Sequence, residues 1–303
     1  MNILITGIHG FVGNNIVAAL KKKHTIYGLD IVSPQKEGVL NTFAWNELDR
    51  IPLVDVIIHL AGLAHDTNNT KLEEEYYQVN TQLTKTIFRF FLTSSARTFI
   101  FFSTVKAAAD FSETPLVETV IPEPTSIYGK SKRKAEEYIL NNLPDDGRKV
   151  YILRPCMIHG PGNKGNLNLL FKLQQKGIPW PLGAFENKRS FCSIDNILFV
   201  VQQLIDKNIE PGIYQVADDE ALSTNELIRL MAYSQNKNAK IWNIPVKLIK
   251  AIARVGDFFH LPLRKLTESY LVSNQKIKNA LGVEKMPFSA AIGLQKTFES
   301  FQK

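Results

Sequence analysis

Asn2-Ile3-Leu4-Ile5-Thr6-Gly7-Ile8-His9-Gly10-Phe11-Val12-Gly13 stands at the start of the chain. A short apolar run with strand character ends at Thr6, and helical spacing begins at Val12. The glycines fall at i, i+3 and i+6 across that junction. This arrangement allows a tight turn, close approach of the backbone to a pyrophosphate, and close helix–strand packing, with the phosphates at the helix amino end. Gly7, Gly10, Phe11, Val12 and Gly13 are accordingly candidate cofactor contacts.

Further along, residues 25–30 read as a second strand closing on Gly28-Leu29-Asp30. A carboxylate at that position accepts hydrogen bonds from adenosine ribose hydroxyls and repels a 2′-phosphate. None of the five residues after Asp30 is Arg or Lys, which favours NAD over NADP. Residues 55–62 include a further strand, and its Leu60, Ala61 and Gly62 end would pass beneath the cofactor. His59, inside the apolar run, reads as a buried structural histidine.

Apolar runs at 2–6, 25–30, 54–60, 98–103 and 150–154 alternate with helical spacing at 12–23, 73–94 and 130–142. That alternation predicts an α/β fold with a doubly wound parallel sheet of the Rossmann type. After Pro155 the texture changes. A turn-rich loop at 159–166 leads to a helix over 167–176, and the chain from Ser223 onward is mainly helical. Residues 1–155, completed by about 187–215, form the expected NAD-binding domain. The region 156–303 is expected to be a smaller, mainly helical substrate-binding region interleaved with it.

Ser126-Ile127-Tyr128-Gly129-Lys130-Ser131-Lys132 contains Tyr-x-x-x-Lys. A spacing of four places both side chains on one helix face. A tyrosine with a pKa near ~10 is a poor base at neutral pH, and a nearby ammonium or a positive nicotinamide ring favours its phenolate. Lys132 would also reach the nicotinamide ribose. Upstream, the strand Phe99-Ile100-Phe101-Phe102 ends in Ser103-Thr104. Strand ends in this fold face the ligand crevice, so a hydroxyl there can hold a reacting oxygen. Glycine loop, ribose acid, hydroxyl strand end and Tyr-x-x-x-Lys occur in the order that hydride transfer requires.

Composition is ordinary for a globular protein, with 45% hydrophobic and 21% charged residues. The first residues run straight into a strand, so no signal peptide is expected, and no apolar window reaches membrane-spanning length. Two cysteines, Cys156 and Cys192, give neither a disulfide framework nor a metal-ligand spacing. No metal is expected, and the chain is expected to be cytoplasmic. The formal net charge of +7 reads as a solvated basic surface suited to an anionic small substrate rather than to nucleic acid. The one loose basic, apolar stretch runs from Lys237 to Lys265.

These motifs resemble the extended short-chain dehydrogenase/reductase family, within it the nucleotide-sugar epimerase/dehydratase group. Val79-Asn80-Thr81 is similar to the family's helix Asn motif, and Leu153-Arg154-Pro155 with His159-Gly160-Pro161-Gly162 to its Leu-Arg-Pro segment. The resemblance implies cofactor contacts at Asn80, Ser103 and Pro155, and substrate-diphosphate contacts at Asn166, Arg189 and Arg264. It implies Thr104 as the catalytic hydroxyl, Tyr128 as acid/base and Lys132 as its helper. Dehydratases of the group carry acids just after the hydroxyl residue; Val105 and Lys106 occupy those places, which disfavours elimination. The implied activity is an NAD-dependent C4 epimerase of a UDP-hexose or UDP-N-acetylhexosamine. The alternative is an NAD(P)H-dependent 4-ketoreductase in surface-polysaccharide synthesis. A non-catalytic NAD-binding regulator would have no reason to keep Thr104, Tyr128 and Lys132 together. The resemblance also implies a homodimer.

Overall fold

Short β-branched and aromatic runs become the strands of one parallel sheet in the computed structural model, which describes residues 1–31, 34–64, 72–163, 165–249 and 266–302. The chain runs β1 (Asn2–Thr6), α1 (Phe11–Leu20), β2 (Thr25–Leu29), β3 (Asn41–Phe43), β4 (Val56–His59) and α2 (Glu73–Tyr76). A π-helical turn (Tyr77–Gln82) leads to α3 (Leu83–Thr93), β5 (Thr98–Phe102), β6 (Ser112–Leu116), α4 (Ile127–Leu140), β7 (Lys149–Pro155) and β8 (Met157–His159). Next come α5 (Asn166–Gln175), β9 (Arg189–Ser193), α6 (Ile194–Asp206), β10 (Gly212–Val216), β11 (Ala221–Leu222) and α7 (Thr224–Tyr233). The last elements are β12 (Tyr270–Val272), α8 (Gln275–Leu281) and α9 (Ala290–Ser300).

The main sheet has the order β10-β7-β5-β4-β1-β2-β3, and every pairing in it is parallel. The order reverses at β1, where the strands to one side are reached by α1 and those to the other by the longer crossovers. That switch point opens a crevice at the carboxyl ends of β1 and β4. Its strands are buried on both faces, which is why they read as continuous apolar runs. Ile3, Ile5, Ile58 and Ile100 pack toward α1 and α6, while Leu4, Ile57, Phe99 and Phe101 pack toward α3 and α4. β10 returns to the edge of this sheet beside β7 after the chain has left it.

A second sheet, β11-β9-β12-β6, has β8 paired to β9 outside that path. A third apolar cluster, with Phe171, Trp180, Met231 and Phe298 among its members, lies beneath it and α5, α7 and α9. Sequence periodicity does not reveal β3, β6 or β12. β3 and β12 are three residues each, and β6 is the polar Ser-Glu-Thr-Pro-Leu, so none offers an alternating apolar signal. The helix expected over 130–142 begins three residues earlier, at Ile127. The helix expected over 73–94 is interrupted by the π turn. Among the described residues no helix is long and apolar enough to cross a membrane.

Candidate active site

Close packing shapes the turn between β1 and α1. A Cβ on Gly13 would lie 2.4 Å from the Gly7 carbonyl oxygen and 2.8 Å from Ile8 Cα, both backbone atoms, so only glycine lets α1 sit this close to the loop. No side chain caps the amino end of α1, and its first turn carries no acid. Asp30 leans back onto the loop: its Oδ2 accepts from the His9 backbone N–H at 3.1 Å, its Oδ1 from the Ile31 N–H at 2.8 Å. Asp30 and the glycine loop are thereby held in one piece.

Beneath them runs a buried polar chain. Thr6 Oγ1 accepts from the Leu60 and Ala61 N–H groups at 3.2 and 3.1 Å and lies 2.7 Å from His59 Nδ1. His59 Nε2 lies 2.9 Å from Thr84 Oγ1, which donates to the Asn80 carbonyl at 2.8 Å. With Thr84's proton committed to Asn80, His59 donates from Nε2 and accepts at Nδ1, the neutral tautomer. Burial, aided by the charge of Lys132, drives its pKa down to about 3. His59 is a structural histidine, as the apolar run around it indicates.

Asn80 sits in the π turn, wholly buried. Its Oδ1 accepts from Leu63 N–H at 2.8 Å; its Nδ2 donates to Leu63 O and to Ser131 Oγ, both at 3.0 Å. Thr81 Oγ1 donates to the Ser131 carbonyl at 2.8 Å. Extra-wide turns of this kind concentrate at functional sites. Here one fastens the loop after β4 to the helix that carries Tyr128 and Lys132.

The amino end of α4 is fixed by Asp110, which accepts from the N–H and hydroxyl groups of both Thr125 and Ser126 at 2.7–2.9 Å. Burial raises the Asp110 carboxyl, but these hydrogen bonds outweigh it and hold it below the usual range. Ser126 Oγ in turn caps Gly129 N–H at 3.2 Å. A Cβ on Gly129 would fall 2.4 Å from the Lys106 carbonyl. That close approach sets Tyr128, in the first turn, against the turn following β5, where the Thr104 hydroxyl favours its phenolate. Tyr76 lies behind it, with ring centroids 6.5 Å apart.

Lys132 is buried beside the Ala61–Gly62 turn, where a Cβ on Gly62 would meet Lys132 Nζ at 2.9 Å and Asn80 Oδ1 at 3.0 Å. Its ammonium donates to the Phe102 carbonyl at 2.9 Å and lies over the Phe101 ring. Burial lowers it to about 8, with Glu136 pulling the other way. Burial pushes Tyr128 up to about 12, and the Thr104 hydroxyl pulls the other way. The chain by itself therefore keeps Tyr128 as a phenol, chiefly through burial. The Ser103 hydroxyl donates to Glu136 Oε1 at 2.5 Å. Glu136, one helical turn beyond Lys132, is wholly buried in a two-pronged pair with Arg154; nothing in the sequence reading singled it out.

The glycine loop, Asp30, Leu60–Gly62, Asn80, Thr104, Tyr128 and Lys132 thus converge on the switch point, with Pro155 ending β7 nearby in the sheet. The uncapped helix end and the glycine-walled turn fit a dinucleotide. Phe11 and Val12 open α1 and pack against the core. Arg189 stands on β9, its Nη1 donating to the Glu268 carbonyl at 3.3 Å and its guanidinium 6.0 Å from the Tyr270 ring. Asn166 opens α5, and Arg264 lies outside the described residues.

The sequence profile of the NAD dependent epimerase/dehydratase family matches residues 3–217. UDP-glucose 4-epimerase of Vibrio cholerae is 30% identical, over 99% of this chain and 95% of the relative. An N-acetyl-alpha-D-glucosaminyl-diphospho-ditrans,octacis-undecaprenol 4-epimerase of Escherichia coli O157:H7 is 28% identical, over 91% of this chain and 84% of the relative. The solved UDP-N-acetylglucosamine 4-epimerase from Bacillus cereus shares the fold, with a TM-score of 0.79 at 19% identity over 100% of both chains.

Proposed function

The chain belongs to the NAD dependent epimerase/dehydratase family, and on that premise we propose that it inverts carbon 4 of a UDP-linked hexose or N-acetylhexosamine. The observation that carries this reading is the meeting of Thr104, Tyr128 and Lys132 at the end of β5, with Val105 and Lys106 where an eliminating acid would stand. The name of the Vibrio cholerae relative, alike over nearly the full length, supports a UDP-hexose. That of the Escherichia coli relative supports inversion at carbon 4 of an N-acetylhexosamine.

The glycine loop would hold the cofactor's pyrophosphate, Asp30 the adenosine ribose, and Lys132 the nicotinamide ribose. When bound, NAD supplies reversible hydride acceptance for carbon 4 together with a positive ring charge. Tyr128 Oη takes the proton of the sugar 4-hydroxyl and returns it after the 4-keto sugar has turned over. Thr104 Oγ1 steadies that oxygen in both directions. Lys132 keeps positive charge beneath the site, which favours the phenolate in the loaded enzyme. Arg189 and the amino end of α5 would neutralise the substrate diphosphate.

The test is incubation of the purified protein with UDP-N-acetylglucosamine and UDP-glucose without added cofactor, with nucleotide released afterwards by denaturation. Retained NAD and a C4-inverted product are expected, and both substrates should be untouched by Tyr128→Phe. Consumption of reduced cofactor only with a 4-keto sugar would instead make the protein a reductase.

A further inference from the structure

Glu136 follows Lys132 by one turn of α4 and Tyr128 by two, so the three side chains lie along one face of the helix. Its carboxylate is wholly buried. It accepts from Nε and Nη2 of Arg154 at 2.8 and 2.6 Å and from the Ser103 hydroxyl at 2.5 Å, with Arg133 Nη1 3.5 Å away. Pairing and hydrogen bonds of this kind are what allow a charge to stay buried. The two arginines near Lys132 are thus both turned onto Glu136.

Lys132 is buried too, donating to the Phe102 carbonyl at 2.9 Å and lying over the Phe101 ring, both on β5. Among the described residues, Asn80 in the π turn and the Gly62 turn meet it from other elements. His59 on β4 feels the same ammonium, which helps to keep it neutral. Tyr128, on the same helix, is kept a phenol by burial. Glu136 is the anion of this neighbourhood: burial brings Lys132 down to about 8, and the Glu136 charge acts against that loss. A bound nicotinamide ring would add a like charge and make the ammonium harder still to keep.

A brace between α4 and β7 does not by itself call for ions, because apolar side chains of similar volume can link two elements at little cost. Apolar side chains bring no negative charge within one turn of the ammonium. The carboxylate at this place on the helix does.

We propose that Glu136 is a positioning residue of the reaction: its buried carboxylate keeps Lys132 charged, and so keeps positive charge beneath the Tyr128 phenolate that takes the sugar's proton. The inference rests on the reading of Tyr128 and Lys132 as the working pair of a C4 epimerase. Arg154 acts one step further back, holding the carboxylate in place from β7.

The experiment follows Lys132 itself in the full, cofactor-free chain. Lysines labelled with carbon-13 at Cε are titrated by NMR, and the Lys132 signal is the one missing from Lys132→Met. The unaltered protein is compared with Glu136→Gln and with the double change Glu136→Gln, Arg154→Met, which leaves no stranded cation where the single change does not fold. Lys132 is expected to lose its proton at least about one pH unit lower in these variants, the size of effect that one close opposite charge produces. The alkaline limb of the kcat/KM profile should move down by the same amount, with UDP-N-acetylglucosamine or UDP-glucose as substrate, whichever is inverted. A Lys132 titration unmoved in either variant overturns the inference and leaves Glu136 a brace. So does a shifted titration with an unmoved alkaline limb, because the charge would then have no hold on the reaction. If the unaltered protein inverts neither sugar while the titration shifts, the epimerase reading falls and the hold of Glu136 on Lys132 stands.

Discussion

Arg154 on β7 grips Glu136 on α4 through two hydrogen bonds, Nε to Oε1 at 2.8 Å and Nη2 to Oε2 at 2.6 Å, with both side chains buried. Ser103, next to Thr104, donates to the same carboxylate. One buried pair thus ties together the turn after β5 that bears Thr104, the helix bearing Tyr128 and Lys132, and the strand β7. Removing one partner of such a pair strands a buried charge, whereas replacing both by apolar groups is often nearly neutral. Arg154→Met is expected to cost about 3–5 kcal/mol in denaturant unfolding, and Arg154→Met with Glu136→Met to recover most of it. A double variant as unstable as the single one would show that the pair is not the source of the loss.

Gly13→Ala tests the cofactor turn. The added Cβ would meet two backbone atoms that cannot swing aside. The loop must open, and the helix end moves away from the phosphates. NAD affinity by calorimetry should fall at least about tenfold, the equivalent of a single lost contact worth about 1.4 kcal/mol. Unchanged affinity would place the pyrophosphate elsewhere.

What was legible in the sequence is what rests on local pattern. β1, the glycine loop, Asp30 and Tyr-x-x-x-Lys are each set by neighbours in the chain, and the doubly wound sheet follows from their alternation. Glu136 was not legible, because a glutamate one turn after Lys132 on a charged helix looks like a solvated face until β7 is laid against it. The π turn escaped for a related reason, since its register depends on Asn80 finding Leu63 and Ser131 across the fold. Asp110 as the anchor of α4 is a pairing across fifteen or sixteen residues that no periodicity marks. Nor does spacing alone say that Lys132 turns its ammonium to the Phe102 carbonyl.

Lys132 carries a pH signature of its own. Its folded pKa, about 8 against an ordinary 10.5, means that burial disfavours the charged form. Below about pH 8 the ammonium is present in both states and its penalty is full. Between there and 10.5 the unfolded chain binds more protons, so stability rises with pH. The displacement amounts to on the order of 3 kcal/mol at most. Unfolding free energies of the cofactor-free protein and of Lys132→Met, measured from pH 7 to pH 10, should converge in favour of the unaltered protein as pH rises. A constant difference would mean that Lys132 titrates normally.

Thr104→Val separates the hydroxyl's chemistry from its volume. In the cofactor-free chain this hydroxyl lowers Tyr128, against burial and the nearby Tyr76. Without it the phenol is held still more firmly, and the reacting oxygen loses a donor. Removing one such donor costs about 100-fold in turnover in comparable sites. The loss should be accompanied by an upward shift of the ascending, acid-side limb of the pH–rate profile, because the phenolate forms later. Thr104→Ser, which keeps the hydroxyl, should restore both. A Val variant that is merely slower, with its pH profile unmoved, would reduce Thr104 to a substrate contact with no hold over Tyr128's proton.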